Sequence, residues 1–163
     1  MRGEGHYAAK LVKEDGARRD APAFPQMRDR AAERAWQDFA SDFFFSPPSG
    51  SVTTLKDGRM YLLPEGLPAL AGRVLRAGVE LGRFDGKRFT PSHALAMSAK
   101  AENVRRTAPL DDTACTRWLR GETFASSMPE GWGIATWRGY PVGLAKSAGG
   151  TLKNHYPKGL REH

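Results

Sequence analysis

The sequence predicts an α+β protein whose C-terminal part is a small curved or barrel-like β-sheet with helices packed on it. Three observations support this class. Apolar residues follow a helical period from Met27 onward, Asp57-Gly58 separates two strand-like segments, and short strand-like runs with glycine-rich corners follow Gly121. A helix-plus-hairpin subdomain therefore precedes the C-terminal sheet. With 163 residues, of which 40% are hydrophobic, the chain is long enough to bury a core.

The first 26 residues are predicted to form a short strand followed by a linker. Apolar and polar residues alternate over residues 6–13, as expected for a strand that completes a neighbouring sheet. Residues 14–26 are rich in charge, Ala, Pro and Gly, which is typical of a mobile linker. We therefore place the first domain boundary after residue 26.

Residues 27–90 are predicted to form the helix-plus-hairpin subdomain. The apolar stripe over residues 27–43 either packs on the protein's own core or binds a partner. Pro47-Pro48 ends this helix, because proline cannot continue it. The remaining predicted elements are two hairpin strands, a helical turn, a bent strand or pair of strands, and a second turn, at 51–56 and 59–63, 67–70, 74–84 and 85–86.

Residues 91–163 are predicted to contain two helices followed by the sheet. A Pro-Ser pair, with Pro91 at the first helical position, opens a helix over residues 91–100. An Asp-Asp pair at 111–112 places carboxylates at the positive end of the next helix, and Gly121 ends it. The strands are expected at 122–125, 131–137, 140–147 and 151–153, with Pro, Arg-Gly and Gly-Gly turns between them.

Composition restricts the possible function classes. The formal net charge of +7 and the isoelectric point near 9.9 favour a polyanionic partner. No run approaches the roughly 20 apolar residues of a membrane-spanning helix, and no apolar segment near the N-terminus indicates a secretion signal. A single cysteine excludes an internal disulfide, which is consistent with a reducing cytoplasm. We therefore predict a cytoplasmic monomer.

No catalytic or metal-binding constellation is found in the sequence. Cys115 lies near two arginines, but a small residue that fills the core explains it better than a reactive thiol. His6, His93 and His155 are far apart and lack accompanying cysteines or carboxylate clusters, so we expect no metal site. His93 is expected to be buried and hydrogen-bonded. We predict that this chain has no catalytic residues.

The C-terminal segment contains the candidate binding residues. From Gly131 onward, lysine and arginine outnumber acidic residues five to one. Cations neutralise phosphates and aromatic rings stack on unstacked bases, while a neighbouring Pro and Gly fix how these groups are presented. A solvated basic tail is the alternative interpretation. The candidate RNA-binding residues are Trp137, Arg138, Lys146, Lys153, Asn154, His155, Tyr156, Lys158 and Arg161.

Several of these aromatic and amide residues have two possible roles. Asn154 either contacts a base edge or caps its own backbone, and Tyr156 either stacks on RNA or closes the sheet. Trp132 and Trp137 are an odd number of residues apart, so a regular strand places them on opposite faces. We expect one of the two indoles in the core and the other exposed, and the sequence leaves open which one.

Four segments contain motifs that occur in the same order in a known family. Residues 2–11 contain Gly-Glu-Gly-His-Tyr, residues 131–146 contain Gly-Tyr-Pro-Val-Gly, and residues 152–161 contain Asn-His-Tyr-Pro-Lys-Gly. Residues 88–96 form the fourth segment. Together they resemble the C-terminal region of the bacterial Sun-family RNA (cytosine-5)-methyltransferases of the RsmF type.

The resemblance implies a PUA-like, RNA-binding pseudobarrel at residues 91–163 and a remnant of the last catalytic-domain strand within residues 1–26. It also implies a parent enzyme that transfers a methyl group from S-adenosylmethionine to cytosine C5 of ribosomal RNA. The glycine-rich loop, the acidic ribose ligand and the two catalytic cysteines of that enzyme are not found in this sequence, so we expect no cofactor here. The alternative is a protein-interaction domain that docks on its own catalytic domain.

Overall fold

The computed structural model describes residues 27–67 and 78–162. The predicted strand and linker in residues 1–26, most of the predicted turn at 67–70, the start of the bent strand, and His163 lie outside the described residues. The elements in chain order are α1 (Arg30–Phe43), β1 (Ser51–Thr54), β2 (Arg59–Leu63), β3 (Val79–Phe84), β4 (Phe89–Pro91), α2 (His93–Ser98), β5 (Thr107–Leu110), α3 (Asp112–Leu119), β6 (Phe124–Ala125), β7 (Gly131–Trp137), β8 (Tyr140–Ala148) and β9 (Thr151–Asn154).

The first helix forms as the apolar period predicts. The Asp29 carboxylate caps α1 by accepting hydrogen bonds from the backbone N–H groups of Ala31 and Ala32, at 2.9 and 3.1 Å. The apolar stripe packs on the protein's own core, which confirms the first of the two interpretations; its buried members are Ala32, Trp36, Ala40 and Phe43.

A four-stranded antiparallel sheet follows in the order β1-β2-β3-β4. The predicted Asp-Gly hairpin joins β1 to β2, and the Asp57 carboxylate accepts a hydrogen bond from the Arg59 backbone at 3.1 Å. Gly58 has a φ of +82°, and a Cβ there would overlap the carbonyl oxygen of Phe84. This turn therefore needs glycine both for its conformation and for its close approach to β3.

The second sheet has five strands in the order β5-β7-β8-β9-β6 and curls into a half-barrel. Four of its strands were predicted, although β6 is shorter than expected. The sequence missed β5, which is short, contains Pro109 and pairs in parallel with β7. Proline is tolerated there because β5 is an edge strand.

Side-chain caps fix the starts of the two short helices. The Ser92 hydroxyl accepts a hydrogen bond from the Leu95 backbone at 3.1 Å, so α2 begins at His93. Pro91 is the last residue of β4, and its predicted place at the first helical position is wrong. The Asp111 carboxylate caps α3 by accepting from the Ala114 backbone at 2.7 Å, as the acidic pair predicts.

The half-barrel buries side chains on both faces of β7 and β8. Ile134 and Leu144 belong to a core that also contains α1, α2 and the first sheet. Ala135 and Ala145 belong to a second core inside the half-barrel, together with Trp118 of α3. Because α2 also contacts both β3 and β8, the domain boundary at residue 90 stays a prediction.

One arginine connects α1 to the second sheet. The guanidinium of Arg106 pairs with the Asp42 carboxylate at 2.7 Å and donates to the backbone oxygens of Asp42 and Trp132, at 3.0 and 3.4 Å. The Arg106 side chain is only 17% exposed. Its hydrogen bonds to Asp42 are the largest cause of the lowered pKa of that carboxyl group.

We expect Arg106→Ala to lower the free energy of unfolding by about 1–2 kcal/mol, because it leaves backbone oxygens without their donor. Urea titration monitored by circular dichroism measures this loss. The matched control is Arg59→Ala, which breaks an equally short pair with Asp57 in which both side chains are about half exposed. The lowered pKa of Asp42 favours folding above its unfolded value, so the loss should shrink as the pH falls through the folded value. Equal losses for the two variants would contradict the assignment.

Candidate nucleic-acid interface

Three side chains lie in register across neighbouring strands of the half-barrel. Trp132 of β7 pairs with Lys146 of β8, and Lys146 pairs with Lys153 of β9. Directly opposed residues in antiparallel strands point to the same face, and neighbouring strands are roughly 4.8 Å apart. The imidazole of His155 lies against the Trp132 indole, with ring centroids 4.5 Å apart. We call these four residues the basic-aromatic row.

The lysines of the row have no acidic partner among the described residues. The ammonium group of Lys146 lies 5.2 Å from the centroid of the Trp132 ring, and Lys153 is exposed. The pKa of His155 is lowered, first by the burial of its ring against its neighbours and then by the positive charges of Lys146 and Lys153. The row thus concentrates positive charge that an anion would neutralise.

The predicted placement of the two tryptophans is confirmed in one respect and wrong in another. The extra residue of the β7–β8 ladder lies in β8, at Val142, so β7 keeps its regular alternation. Trp132 packs against the core that contains α1, whereas the Trp137 indole donates to Asp112 at the start of α3. They therefore lie on opposite faces. Both are half-buried, so neither is the fully exposed ring that was expected.

Trp137 and Arg138 are separate from the basic-aromatic row. The Arg138 guanidinium lies 4.5 Å from the centroid of the Trp137 ring and pairs with the Asp112 carboxylate at 3.0 Å. Arg138 occupies the β7–β8 turn with a φ of +51°. Trp137 follows Trp132 along β7 at a distance of roughly 16 Å. Asp112 already neutralises part of the charge at this end of the hairpin.

Three of the predicted binding residues direct their polar groups into the protein. The Asn154 amide donates to the carbonyl oxygens of Trp118 and Glu122, at 2.7 and 3.0 Å, and accepts from the Tyr156 backbone at 2.8 Å. The Tyr156 ring contacts His93 edge-on, with centroids 5.4 Å apart. The Arg161 guanidinium packs over Gly121 and donates to the Tyr156 carbonyl at 3.3 Å. These contacts hold the C-terminal segment against the half-barrel.

Lys158 is exposed in a short 3₁₀ helix, Lys158–Leu160, and forms no ion pair with a described residue. Of the nine predicted residues, the structure therefore brings together Lys146, Lys153 and His155. It adds Trp132, which was not among them. The sequence signal for Trp132 was its place in a strand that faces Lys146, and this depends on a register that local patterns do not give.

Two residues that were considered for chemistry have structural surroundings. Cys115 is buried, and burial raises the pKa of its thiol, so the reactive thiolate is disfavoured at neutral pH. His93 is half-buried, and burial lowers its pKa. Its Nδ1 atom has no hydrogen-bond partner among the described residues, in contrast to the expected hydrogen bond.

Two searches of the described residues returned nothing. No group of three or more His, Cys, Asp or Glu side chains in residues 27–67 and 78–162 is placed to hold a metal ion. No helix in this part of the chain is long and apolar enough to cross a membrane.

The curled half-barrel, with its short helices and a parallel edge strand, defines a PUA-type domain. Comparison with family models gives the particular family. Residues 105–162 match the methyltransferase RsmF PUA domain, and residues 38–98 match the first C-terminal domain of the RsmF rRNA methyltransferase. The chain belongs to the RsmF family and corresponds to its C-terminal region.

Curated relatives agree with this assignment. Three of them, all named ribosomal RNA small subunit methyltransferase F, come from Shewanella loihica, Klebsiella pneumoniae and Escherichia coli O157:H7. They are 28%, 30% and 28% identical over 170, 116 and 109 residues, which cover 96%, 69% and 64% of this chain. The same alignments cover 35%, 24% and 23% of the relatives, so the chain spans about a third of their length or less.

Proposed function

We propose that this chain is the RNA-binding C-terminal module of an S-adenosylmethionine-dependent rRNA (cytosine-C5) methyltransferase. In this proposal it positions ribosomal RNA for the catalytic domain of the same enzyme, in the cytoplasm, as a monomer. The observation that supports RNA binding most directly is the alignment of Trp132, Lys146 and Lys153 across three strands, with both lysines free of acidic partners among the described residues. The names of the relatives support rRNA as the substrate.

Each residue of the basic-aromatic row has a defined role in this proposal. Lys146 and Lys153 bind neighbouring phosphates, and the exposed parts of Trp132 and His155 contact bases or sugars. The strands hold these side chains at fixed separations, so little ordering is needed on binding. S-adenosylmethionine would supply the methyl group in the catalytic domain, and we assign no residue of this chain to that chemistry.

The direct test is a titration of labelled single-stranded rRNA fragments at two salt concentrations. We expect dissociation constants in the micromolar range or weaker at low salt, because a few phosphate contacts supply most of the affinity. If Lys146, Lys153 and Lys158 each contact a phosphate, the log–log slope of affinity against salt should be about −2. Absence of binding at low salt would contradict the proposal.

One feature favours the alternative function of docking on the catalytic domain. Tyr140, at the β7–β8 turn, is 74% exposed, and the neighbouring Arg138 is already paired with Asp112. A large exposed ring beside a neutralised charge suits a protein contact. Tyr140→Ser separates the two functions: loss of association with the catalytic domain at unchanged RNA affinity assigns this turn to docking.

A further inference from the structure

An open cleft of about 500 Å³ lies between the first sheet and the half-barrel. One wall comes from α1 and from β4 with the turn before it, and the other comes from β7 and β8. Its volume falls within the range of about 300–1,000 Å³ that is usual for small-ligand sites. The residues that define its chemistry are Phe39, Arg88, Phe89, Thr90, Trp132 and Lys146.

The cleft combines aromatic surface with positive charge. The rings of Phe39 and Phe89 are tilted towards each other at a centroid distance of 5.0 Å, and both are half-buried. Trp132 supplies a third ring on the opposite wall. Arg88 is exposed, and neither Arg88 nor Lys146 forms an ion pair with a described residue. A flat apolar group with an attached anion fits this arrangement.

One acidic residue also lines the cleft. The Asp85 carboxylate accepts hydrogen bonds from the backbone N–H groups of Lys87 and Arg88, at 2.9 and 2.8 Å. These bonds, followed by the charge of Arg88, lower the pKa of Asp85. The carboxylate is thus committed to the turn that presents Arg88, while the Arg88 guanidinium keeps its donors for a ligand.

We propose that this cleft binds one unstacked nucleotide of single-stranded RNA, with the base among the three rings and a phosphate between Arg88 and Lys146. The inference rests on the proposed RNA-binding function and gives it a specificity. Lys146 belongs to both the cleft and the basic-aromatic row, so a strand that crosses Lys153 can continue into the cleft. A duplex cannot enter it, because its bases remain stacked and paired.

The cleft also assigns a role to the segment before the PUA domain. Arg88, Phe89 and Thr90 lie within the match to the first C-terminal domain, whereas Trp132 and Lys146 lie within the match to the PUA domain. Each domain supplies one wall. Binding of a single-stranded nucleotide therefore requires both.

The test combines a filled cleft with RNA oligonucleotides that contain one abasic site at successive positions. Thr90 is exposed, so Thr90→Trp adds bulk to the cleft without replacing a core side chain. For the wild type, we expect one abasic position to weaken binding about tenfold, as stacking of a single base predicts. Thr90→Trp should bind the intact oligonucleotide about tenfold more weakly and lose its sensitivity at that position.

The matched control is Thr107→Trp, which places the same bulk at an exposed threonine of the edge strand β5. It should bind like the wild type, and melting curves check that both variants are folded. If the wild type binds RNA but no abasic position matters, or if the two variants behave alike, the cleft inference is overturned while RNA binding stands. If the wild type binds no RNA, the proposed function fails and the cleft inference fails with it.

Discussion

Replacing Lys146 and Lys153 together by glutamate is expected to weaken RNA binding about 100-fold at low salt, since each change removes a phosphate partner and adds a repulsive charge. The two side chains lie opposite each other on one face, so both changes affect the same stretch of RNA backbone. Fluorescence anisotropy with a labelled rRNA fragment measures the loss. Melting curves should change little, because neither lysine pairs with an acidic residue among the described residues.

A matched variant separates the site from the overall charge. Lys56→Glu/Lys100→Glu makes the same change in net charge at two other exposed lysines, and it should reduce affinity only severalfold. A milder pair, Lys146→Gln/Lys153→Gln, removes two cations and should make the salt slope less negative by about 1.4. If both reversal variants lose affinity equally, binding depends on net charge and the basic-aromatic row is not the interface.

Part of this interface follows from the sequence alone. The Gly149-Gly150 turn pairs Ala148 with Thr151, and counting back from it places Lys146 opposite Lys153, as the structure shows. Two-residue turns fix the register of a hairpin, so this pairing could be predicted.

The other pairing could not be predicted in the same way. Counting back from the Arg138-Gly139 turn places Trp132 opposite Ala145 rather than Lys146. The extra residue at Val142 shifts the ladder by one position and brings Lys146 beside the indole. Nothing in the local sequence marks this bulge. The aromatic member of the row is therefore visible only in the structure.

The C-terminal motif shows why residue type alone misassigns roles. Asn154, Tyr156 and Arg161 have the chemistry of RNA-binding residues, yet their polar groups bond to the protein. The partners of the Asn154 amide, Trp118 and Glu122, lie more than 30 residues away in sequence. Side chains of the same type serve binding or packing according to tertiary neighbours, which a local motif does not specify.

The fold itself was more accessible to sequence reasoning than the site. Helix α1, the Asp-Gly hairpin and strands β7 to β9 follow from periodicity and turn residues. Strand β5 was missed because its pairing with β7 is parallel and spans more than 20 residues. The shared core of α1 and the half-barrel was also missed, because it depends on contacts such as Arg106 with Asp42 that join distant segments.

Asn154→Asp is expected to lower the free energy of unfolding by about 3 kcal/mol at neutral pH. The substitution keeps the shape of the side chain and its acceptor for the Tyr156 backbone, but removes both donors to the Trp118 and Glu122 carbonyls. It also places a carboxylate against two carbonyl oxygens in a half-buried position, which disfavours the charged form. Urea titration of the variant and the wild type measures the difference.

The pH dependence identifies the cause of this loss. Because the charged form is disfavoured in the folded state, the folded pKa of the introduced carboxyl group lies above its unfolded value, and protonation restores one donor. Stability is therefore retained below the unfolded pKa and lost as the pH rises through the folded pKa. The loss should be clearly smaller at acidic than at neutral pH. Asn103→Asp, which removes a single donor bond to the Ser46 carbonyl, should lose less. A variant with unchanged stability but weaker RNA binding would instead assign Asn154 to a base edge, and the C-terminal motif would then bind RNA directly rather than hold the half-barrel in place.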